Sequence, residues 1–125
     1  MAIPTLYHYL AEVTSVYDGD TFDCIVDMGF STSVKIKVRA LGIDTCEMKS
    51  KDPELKAKAV LARDYLRSVI LGKKIILRTA GMEKYGRWLG EIWEVPAEGA
   101  DLGESINSKM ISLGHAKAYF GGTKE

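Results

Sequence analysis

Apolar and polar residues alternate over residues 21–28 and 34–41, and residues 7–17 are rich in apolar and β-branched side chains. Alternation with a period of two predicts β-strands that bury one face and expose the other. The turn sequence DGD follows the first of these stretches at residues 18–20, and Gly29 ends the second. Three strands with such short connections are typical of an antiparallel meander and exclude a doubly wound parallel sheet.

The pattern changes to a helical period after this meander. Asp52 is a favoured N-cap residue, Pro53 suits the first helical position, and Gly72 is typical of a helix end. Between them, apolar residues recur at steps of four and three, which predicts an amphipathic helix. The predicted buried face consists of Leu55, Ala59, Ala62, Leu66 and Val69.

The remaining chain predicts two strands, a short helix and a last extended piece. The strands are expected at residues 73–80 and 87–95, the helix at about 105–113, and the extended piece at 115–120, before a frayed tail at 121–125. Five short strands with an inserted helix fit a mainly β (α+β) protein, namely a five-stranded OB-type Greek-key barrel with two or three packed helices. An open α+β sandwich is the alternative.

Composition indicates one globular domain that spans residues 1–125. The chain is 46% apolar and 27% charged, and a chain of 125 residues can bury about two-thirds of its unfolded surface. Its start has no basic lead and no uninterrupted apolar run, and no stretch approaches the roughly 18 apolar residues that cross a bilayer. We therefore expect a cytoplasmic protein, without a membrane partner, whose two cysteines are free thiols.

The charge distribution is more informative than the net charge, which is zero from 17 basic and 17 acidic residues. Residues 56–78 hold seven basic residues and one acid, whereas residues 94–104 hold four acids and no base. A surface polarised in this way could offer a positive face to a polyanion. The same pattern also fits an ordinary solvated helix face, and charge alone leaves both open.

Three acidic residues, Asp20, Asp44 and Glu47, fall at predicted strand ends or turns. Hard divalent cations such as Ca²⁺ or Mg²⁺ prefer carboxylate and carbonyl oxygens. Two carboxylates that meet where neighbouring strands end could bind one such ion, with the Thr45 carbonyl and water completing its coordination.

Two arginines, Arg39 and Arg87, would add planar guanidinium groups suited to phosphate oxygens. Together these groups amount to a phosphodiester-cleaving site. The metal would polarise a phosphate, the two arginines would stabilise the developing charge, and a carboxylate would prepare a water. Each part alone has an ordinary structural explanation, since DGDT is a common turn and an arginine near carboxylates is usually a salt bridge.

The segments DGDTF, VRALGIDTCE, KYGR and NSKMISLGHAKAY occur in this order over residues 11–120. Together they resemble the staphylococcal nuclease (thermonuclease) family, whose pattern DGDT, R-x4-D-T-x-E and YGR is specific when all three parts occur. The resemblance implies the OB-type barrel with packed helices. The metal-binding residues that it implies are Asp20, Asp44 and Thr45. The catalytic residues that it implies are Arg39 and Arg87, which grip the scissile phosphate, and Glu47, which orients or deprotonates the attacking water.

The resemblance also implies a substrate and a reaction. Lys84 and Tyr85 fall where the family contacts the terminal phosphate and the sugar, and Tyr119 corresponds to a tyrosine of the nucleotide pocket, although the spacing there is one residue short. The implied reaction is Ca²⁺-dependent hydrolysis of single-stranded DNA or RNA at the 5′ P–O bond, which leaves 3′-phosphates with little base preference. A monomer is expected.

Three departures from the family bear on these expectations. Cys46 stands where the family has proline in DTPE, so we expect a looser loop around Glu47, and a soft-metal or redox alternative stays open. The loop between Glu47 and the helix is short, so any flap over the substrate is reduced. The chain is neutral where secreted relatives are strongly basic, so we expect activity to weaken at high salt.

The sequence therefore leaves three functions open. The first is an active nuclease, which the joint presence of all three motifs favours. The second is a catalytically silent nucleic-acid or protein-binding module of the OB type. The third is a barrel whose charges merely pair with one another. For the active enzyme, low free Ca²⁺ in the cytosol could restrain cleavage.

Overall fold

The computed structural model describes residues 6–119. Its elements in chain order are β1 His8–Asp18, β2 Thr21–Gly29, β3 Thr32–Ala40, β4 Ile43–Asp44, α1 Pro53–Ile70, β5 Lys74–Met82, β6 Trp88–Glu94, α2 Ile106–Ser112 and β7 Lys117–Ala118. Five strands close a barrel in the order β1-β2-β3-β6-β5, and β4 pairs with β7 in a separate two-stranded sheet. The OB-type barrel is confirmed and the open sandwich is wrong. The expectations for residue 120 and for residues 121–125 lie outside the described residues.

The barrel is closed by one parallel pair of strands among antiparallel ones. β1, β2 and β3 form the predicted antiparallel meander, and β5 pairs antiparallel with both β1 and β6. β3 and β6 are parallel, with Val38 opposite Trp88. A parallel pair needs a long crossover connection, which α1 and β5 supply. This closure places the end of β3 beside the start of β6 in the barrel wall.

The alternation in β2 and β3 predicts the barrel core correctly near the meander's centre and fails at its tip. Phe22, Cys24 and Val38 are at most 1% exposed. Met28 and Val34 belong to the same predicted apolar faces, yet they are 44% and 43% exposed. The reason is that β1 pairs with β2 only as far as Val26, so the end of the β2–β3 hairpin has no neighbouring strand to cover it.

Helix α1 begins and ends where its sequence predicts. The Asp52 side chain accepts a hydrogen bond from the Glu54 backbone N–H, Pro53 opens the helix, and Gly72 follows it with φ +73°. The buried residues are Ala59, Ala62, Leu66 and Ile70. Leu55 is 43% exposed, so its assignment to the buried face is wrong, because the first turn lies beyond the part of the helix that packs on the barrel. Val69 is only partly buried against the core.

Both cysteines are free, as predicted; Cys24 is buried and Cys46 is half-buried. Within residues 6–119, no helix is long and apolar enough to cross a membrane.

Asn107 of α2 anchors that helix to the barrel through its side-chain amide. Its Oδ1 accepts a hydrogen bond from the Ile92 backbone N–H at 3.0 Å, and its Nδ2 donates to the carbonyls of Leu41 at 2.8 Å and Gly90 at 3.1 Å. Asn107 is 5% exposed, so the Ile92 N–H and the Leu41 carbonyl depend on it for a hydrogen-bond partner, whereas the Gly90 carbonyl also accepts from the Leu41 N–H at 2.8 Å. The amide therefore fixes α2 to β6 and to the turn after β3.

We expect Asn107→Ala to lower the free energy of unfolding by about 1–3 kcal/mol, because the buried Ile92 N–H and the part-buried Leu41 carbonyl would lose their partner. Urea denaturation followed by circular dichroism measures this change.

Ser108→Ala is the matched control, since its exposed hydroxyl donates only to the Glu104 carboxylate, which is also exposed. It should change the free energy by less than about 0.5 kcal/mol. Equal effects of the two substitutions would contradict the anchoring role of Asn107.

Candidate active site

The strand pairings bring the predicted site residues to one cleft at an end of the barrel. Thr21 pairs with Arg39 across β2 and β3, and Arg39 lies opposite Leu89 of β6. Asp20 immediately precedes β2 and Arg87 immediately precedes β6. The cleft has a volume of about 790 Å³. All nine residues named from the sequence line it: Asp20, Arg39, Asp44, Thr45, Glu47, Lys84, Tyr85, Arg87 and Tyr119. Their proposed roles remain predictions.

The Arg39 guanidinium lies between two buried carboxylates. Its Nη1 is 3.4 Å from Asp20 Oδ2, and its Nη2 is 3.4 Å from Asp44 Oδ1. Nη1 also donates hydrogen bonds to the carbonyls of Ala40 at 3.0 Å and Ile43 at 2.9 Å. Asp20 and Asp44 are only 7% and 5% exposed, so each needs a compensating charge. Arg39 thus offsets part of the charge of the two acids and also holds the turn that connects β3 to β4.

Asp20 is fixed by hydrogen bonds to both of its carboxylate oxygens. Oδ2 accepts from the Thr45 backbone N–H and hydroxyl, both at 3.1 Å, and Oδ1 accepts from the Thr21 hydroxyl at 3.1 Å. Burial opposes ionisation of Asp20, but a hydrogen bond with Asp18, the charge of Arg39 and the Thr45 donors together lower its pKa. Asp20 is therefore held as an oriented carboxylate.

Asp18 belongs to the same cleft, although the sequence analysis did not single it out. Its Oδ1 accepts a hydrogen bond from the Asp20 backbone N–H at 3.0 Å. Burial, with further contributions from the neighbouring Asp20 carboxylate, raises the pKa of Asp18 to about 7. The signal was available, because Asp18 is the first residue of DGDT. Its place at the end of β1, two residues before Asp20, brings a further carboxyl group to the cleft, in addition to those of Asp20, Asp44 and Glu47.

Gly19, between these two acids, is required by close packing. A Cβ atom at this position would lie 2.8 Å from Ala62 Cβ of α1 and 2.9 Å from Thr45 Cγ2. Both distances are shorter than carbon atoms tolerate, so any side chain would force its neighbours to move. The turn before β2, the helix and the segment after β4 therefore meet at residue 19.

Arg87 is held by Glu83, a second residue that the sequence analysis missed. Arg87 Nε donates to Glu83 Oε1 at 3.1 Å and Nη2 donates to Oε2 at 3.0 Å, which is a bidentate pair. Oε1 also accepts from the backbone N–H groups of Tyr85 and Arg87. The hydrogen bond with Arg87 lowers the pKa of Glu83 to about 2, and Glu83 in turn raises the pKa of Arg87. The remaining Nη1 donates to the Thr21 hydroxyl at 3.4 Å.

The cleft is also lined by the remaining predicted site residues, Glu47, Lys84, Tyr85 and Tyr119. Glu47 is exposed in the loop before α1, and its carbonyl accepts a hydrogen bond from the Ser50 backbone N–H at 3.1 Å. Tyr85 is 72% exposed, with Lys84 Nζ 5.1 Å from its ring centroid. The Tyr119 backbone N–H donates to the Gly42 carbonyl at 2.8 Å, which places Tyr119 beside the Arg39 turn despite the shortened spacing.

The donor set fits a hard cation that takes only part of its coordination from the protein. No group of three or more His, Cys, Asp or Glu side chains within residues 6–119 is placed to hold a metal ion. Asp20, Asp44 and the Thr45 carbonyl supply oxygen atoms alone, which suits Ca²⁺ or Mg²⁺. Since Ca²⁺ takes six to eight oxygens, water and substrate would complete its shell. The Cys46 sulfur is not a ligand that such an ion prefers.

The fold and the cleft define a small OB-type barrel with an acidic, guanidinium-lined site at one end. Residues 37–125 match the model of the family described as staphylococcal nuclease homologue, and the chain belongs to this family. It is also similar to Protein ParB of Escherichia coli, with 30% identity over 122 residues that cover 95% of this chain and 62% of that protein. The chain therefore spans less than two thirds of the length of this relative.

The Glu83–Arg87 pair predicts a dependence of stability on pH. Because the pKa of Glu83 falls from an ordinary 4.5 to about 2 on folding, the pair stabilises the fold fully above about pH 4.5. This contribution is lost as the pH falls towards 2. We therefore expect the stability advantage of the wild type over Glu83→Gln to shrink between pH 5 and pH 2, as measured by urea denaturation at each pH.

Glu98→Gln serves as the control, because Glu98 is an exposed acid in the loop before α2. Its difference from the wild type should stay near zero throughout this range. A constant difference between wild type and Glu83→Gln would show that the pair does not couple folding to the protonation of Glu83.

Proposed function

We propose that this protein is a metal-dependent nuclease that hydrolyses phosphodiester bonds of single-stranded DNA and RNA. The observation that carries the proposal is the presence of two guanidinium groups and two buried carboxylates in one cleft, with Glu47 at the same cleft. Membership of the staphylococcal nuclease family supports the same reaction class. The proposed cofactor is Ca²⁺, and the proposed products carry 3′-phosphates after cleavage of the 5′ P–O bond.

Phosphate binding is assigned to Arg39 and Arg87. The Glu83 carboxylate accepts hydrogen bonds from Nε and Nη2 of Arg87, so the guanidinium is oriented before substrate binds. Its Nη1 donates to the Thr21 hydroxyl. Preorganised donors of this kind stabilise the extra negative charge that develops on a phosphate during hydrolysis. Arg39 is also held in place, by hydrogen bonds to two backbone carbonyls. Neither arginine therefore has to lose further conformational freedom when the transition state forms.

Asp20, Asp44 and the Thr45 carbonyl would hold the cation. When bound, the ion supplies Lewis-acid polarisation of a phosphoryl oxygen. The chain's own contribution is to orient the Asp20 carboxylate. Its Oδ2 accepts hydrogen bonds from the Thr45 backbone N–H and hydroxyl, whereas its Oδ1 accepts from the Thr21 hydroxyl and has a second lone pair that could bind the ion.

Glu47 is assigned to the attacking water. Its exposed position in the loop before α1 lets its carboxylate reach solvent at the cleft. A water oriented or deprotonated by Glu47 forms a bond to phosphorus, the proton passes to the carboxylate, and the bond from phosphorus to the 5′ oxygen breaks. The leaving 5′ oxygen then takes a proton from solvent, which yields a 5′-hydroxyl and a 3′-phosphate.

Substrate binding is assigned to Lys84, Tyr85 and Tyr119, which line the same cleft. A lysine for the terminal phosphate and tyrosines for sugar and base would bind any nucleotide, since phosphate contacts carry no sequence information and stacking tolerates every base. The proposal includes a monomer that works in the cytoplasm, where low free Ca²⁺ would restrain cleavage.

A catalytically silent nucleic-acid-binding module is the second candidate, and one observation favours it. Arg39 already pairs with both Asp20 and Asp44, so one guanidinium offsets part of the charge of the two acids without a metal ion. Such a module would bind single-stranded nucleic acid equally well in the presence of a chelator, and it would release no product.

We expect hydrolysis of single-stranded DNA with Ca²⁺, loss of that hydrolysis in EDTA, and a fall in kcat of about 10²–10⁴-fold in Glu47→Gln, because the water would lose its base. Release of labelled fragments, followed by gel electrophoresis with Ca²⁺, Mg²⁺ or EDTA, measures all three effects.

Glu98→Gln is again the control and should retain full activity. Cleavage that persists in EDTA would exclude a metal-dependent mechanism and with it the restraint by Ca²⁺. Binding without cleavage under every condition would establish the silent module instead.

Salt should weaken the reaction markedly. The chain has no net charge, so long-range attraction of the polyanion is weak, and binding depends on a few local phosphate contacts that salt screens. We expect kcat/KM on single-stranded DNA to fall several-fold between 50 and 200 mM NaCl, with kcat at saturating substrate nearly constant. Steady-state kinetics across this range measure both parameters, and a kcat/KM independent of salt would contradict the expectation.

A further inference from the structure

The β2–β3 hairpin leaves a free strand edge on the barrel. β3 pairs with β2 from Thr32 to Arg39, whereas it pairs with β6 only from Val38 to Ala40. Within residues 6–119, the stretch 32–37 therefore has a strand neighbour on one side only. Every second residue of such an edge directs its backbone N–H and C=O groups away from the sheet, where another strand can pair with them.

The outer face of this edge is positively charged. Lys35 and Lys37 alternate with the core-facing Ile36 and Val38, so both lysines point away from the barrel interior. Within the described part of the chain, Lys35 forms no ion pair, and Lys37 reaches Asp23 only at 4.0 Å, with 54% of its side chain exposed. A strand added to the edge would place its own outward side chains directly opposite these two lysines.

The tip of the hairpin adds apolar side chains that the fold does not bury. Phe30 is fully exposed, and Met28 and Val34 of the same hairpin are exposed as well. Phe30 and Ser31 form its two-residue turn, with φ angles of 55° and 59°. Both angles lie in the left-handed region, which asparagine and glycine adopt at lower cost than phenylalanine. The turn therefore keeps an exposed aromatic ring where a polar residue would suit both the backbone and the solvent.

We propose that residues 32–37 bind an extended, acidic peptide segment of a partner protein, which adds a strand to the barrel at the β3 edge. Backbone hydrogen bonds to β3 hold the segment. Acidic side chains on its outer face pair with Lys35 and Lys37, and apolar side chains on its other face contact Val34 and Phe30. The surface is separate from the proposed nuclease site, because none of residues 28–37 lines the cleft.

Charge and backbone chemistry distinguish this partner from two others. A second copy of the chain, paired edge to edge, would bring the lysines of two β3 strands close together, and like charges oppose such pairing. A polynucleotide could pair its phosphates with the lysines, but it carries no row of N–H and C=O groups at the spacing of a strand. An acidic peptide satisfies both the lysines and the free backbone groups.

The probe for the test is a synthetic seven-residue peptide in which Glu and Val alternate, capped at both ends and labelled with a fluorophore. Fluorescence anisotropy with the whole chain gives Kd, and NMR spectra of the ¹⁵N-labelled chain identify the backbone amides whose signals shift. One control peptide alternates Lys and Val. A second control repeats the acidic sequence with every backbone nitrogen methylated, which removes its N–H donors.

We expect the acidic peptide to bind and to shift the amide signals of residues 32–37, whereas neither control peptide binds. The double substitution Lys35→Glu with Lys37→Glu should weaken binding at least tenfold, because two attractive cross-strand pairs become repulsive. The matched control is Lys51→Glu with Lys56→Glu, which changes the net charge equally at two exposed lysines outside the hairpin and should leave Kd nearly unchanged.

Phe30→Asn separates binding from folding. Asparagine suits the left-handed turn, so the free energy of unfolding should stay the same or rise, while binding of the acidic peptide weakens because the aromatic contact is lost. Urea denaturation and fluorescence anisotropy measure the two effects. All of these variants should cleave single-stranded DNA as the wild type does, so the cleavage assay judges the proposed nuclease independently of the edge.

Three results would overturn the inference: equal binding of the acidic and basic peptides, undiminished binding of the methylated peptide, or amide shifts confined to residues outside 28–37. A dimer formed through residues 32–37, detected by analytical ultracentrifugation and NMR, would assign the edge to a second copy instead. Displacement of the peptide by an oligothymidylate would assign it to nucleic acid. Either of these outcomes also contradicts the proposed partner.

Discussion

The ion pairs of Arg39 with Asp20 and Asp44 are the interaction on which the rest of this structure depends. Two carboxylates are almost fully buried at one end of a small barrel, and burial of charge is tolerated only with a compensating partner. One guanidinium supplies it for both acids and also binds the Ile43 carbonyl, which holds the chain as it leaves the barrel wall. The same contacts that make the fold possible place the functional groups of the site.

The topology of the barrel explains why the two arginines share a cleft although 48 positions separate them in the chain. Arg39 lies in the parallel part of the β3–β6 pair, and Arg87 directly precedes β6, so both are carried by one stretch of the wall. Thr21 connects them further, because it pairs with Arg39 in the sheet and accepts a hydrogen bond from Arg87. Strand pairing places Arg39 and Asp44, whereas the other site residues lie in the turns and loops next to the strands.

Local patterns in the sequence predicted most of the elements, and the family motifs identified nine residues of the cleft but not Asp18 or Glu83. Asp52 and Pro53 begin α1 as their chemistry predicts, because capping is a property of neighbouring residues. The exposed Met28 was not predictable, since its burial depends on where a different strand stops pairing. Asn107 was missed for a similar reason, because only the folded chain brings the Ile92 N–H to its side chain. Glu83 is different, since its partners Tyr85 and Arg87 lie two and four positions further along the chain, so a local signal existed.

The contact at Gly19 couples the site to a helix that carries none of its nine predicted residues. Gly19, in the turn that bears Asp18 and Asp20, packs against Ala62 with no room for a methyl group. The position of that turn therefore depends on the distance between α1 and the barrel. A residue larger than Ala62 at this position would push α1 away from the barrel or displace the turn that carries Asp18 and Asp20. The small size of Ala62 is therefore a requirement of the site, although α1 does not line the cleft.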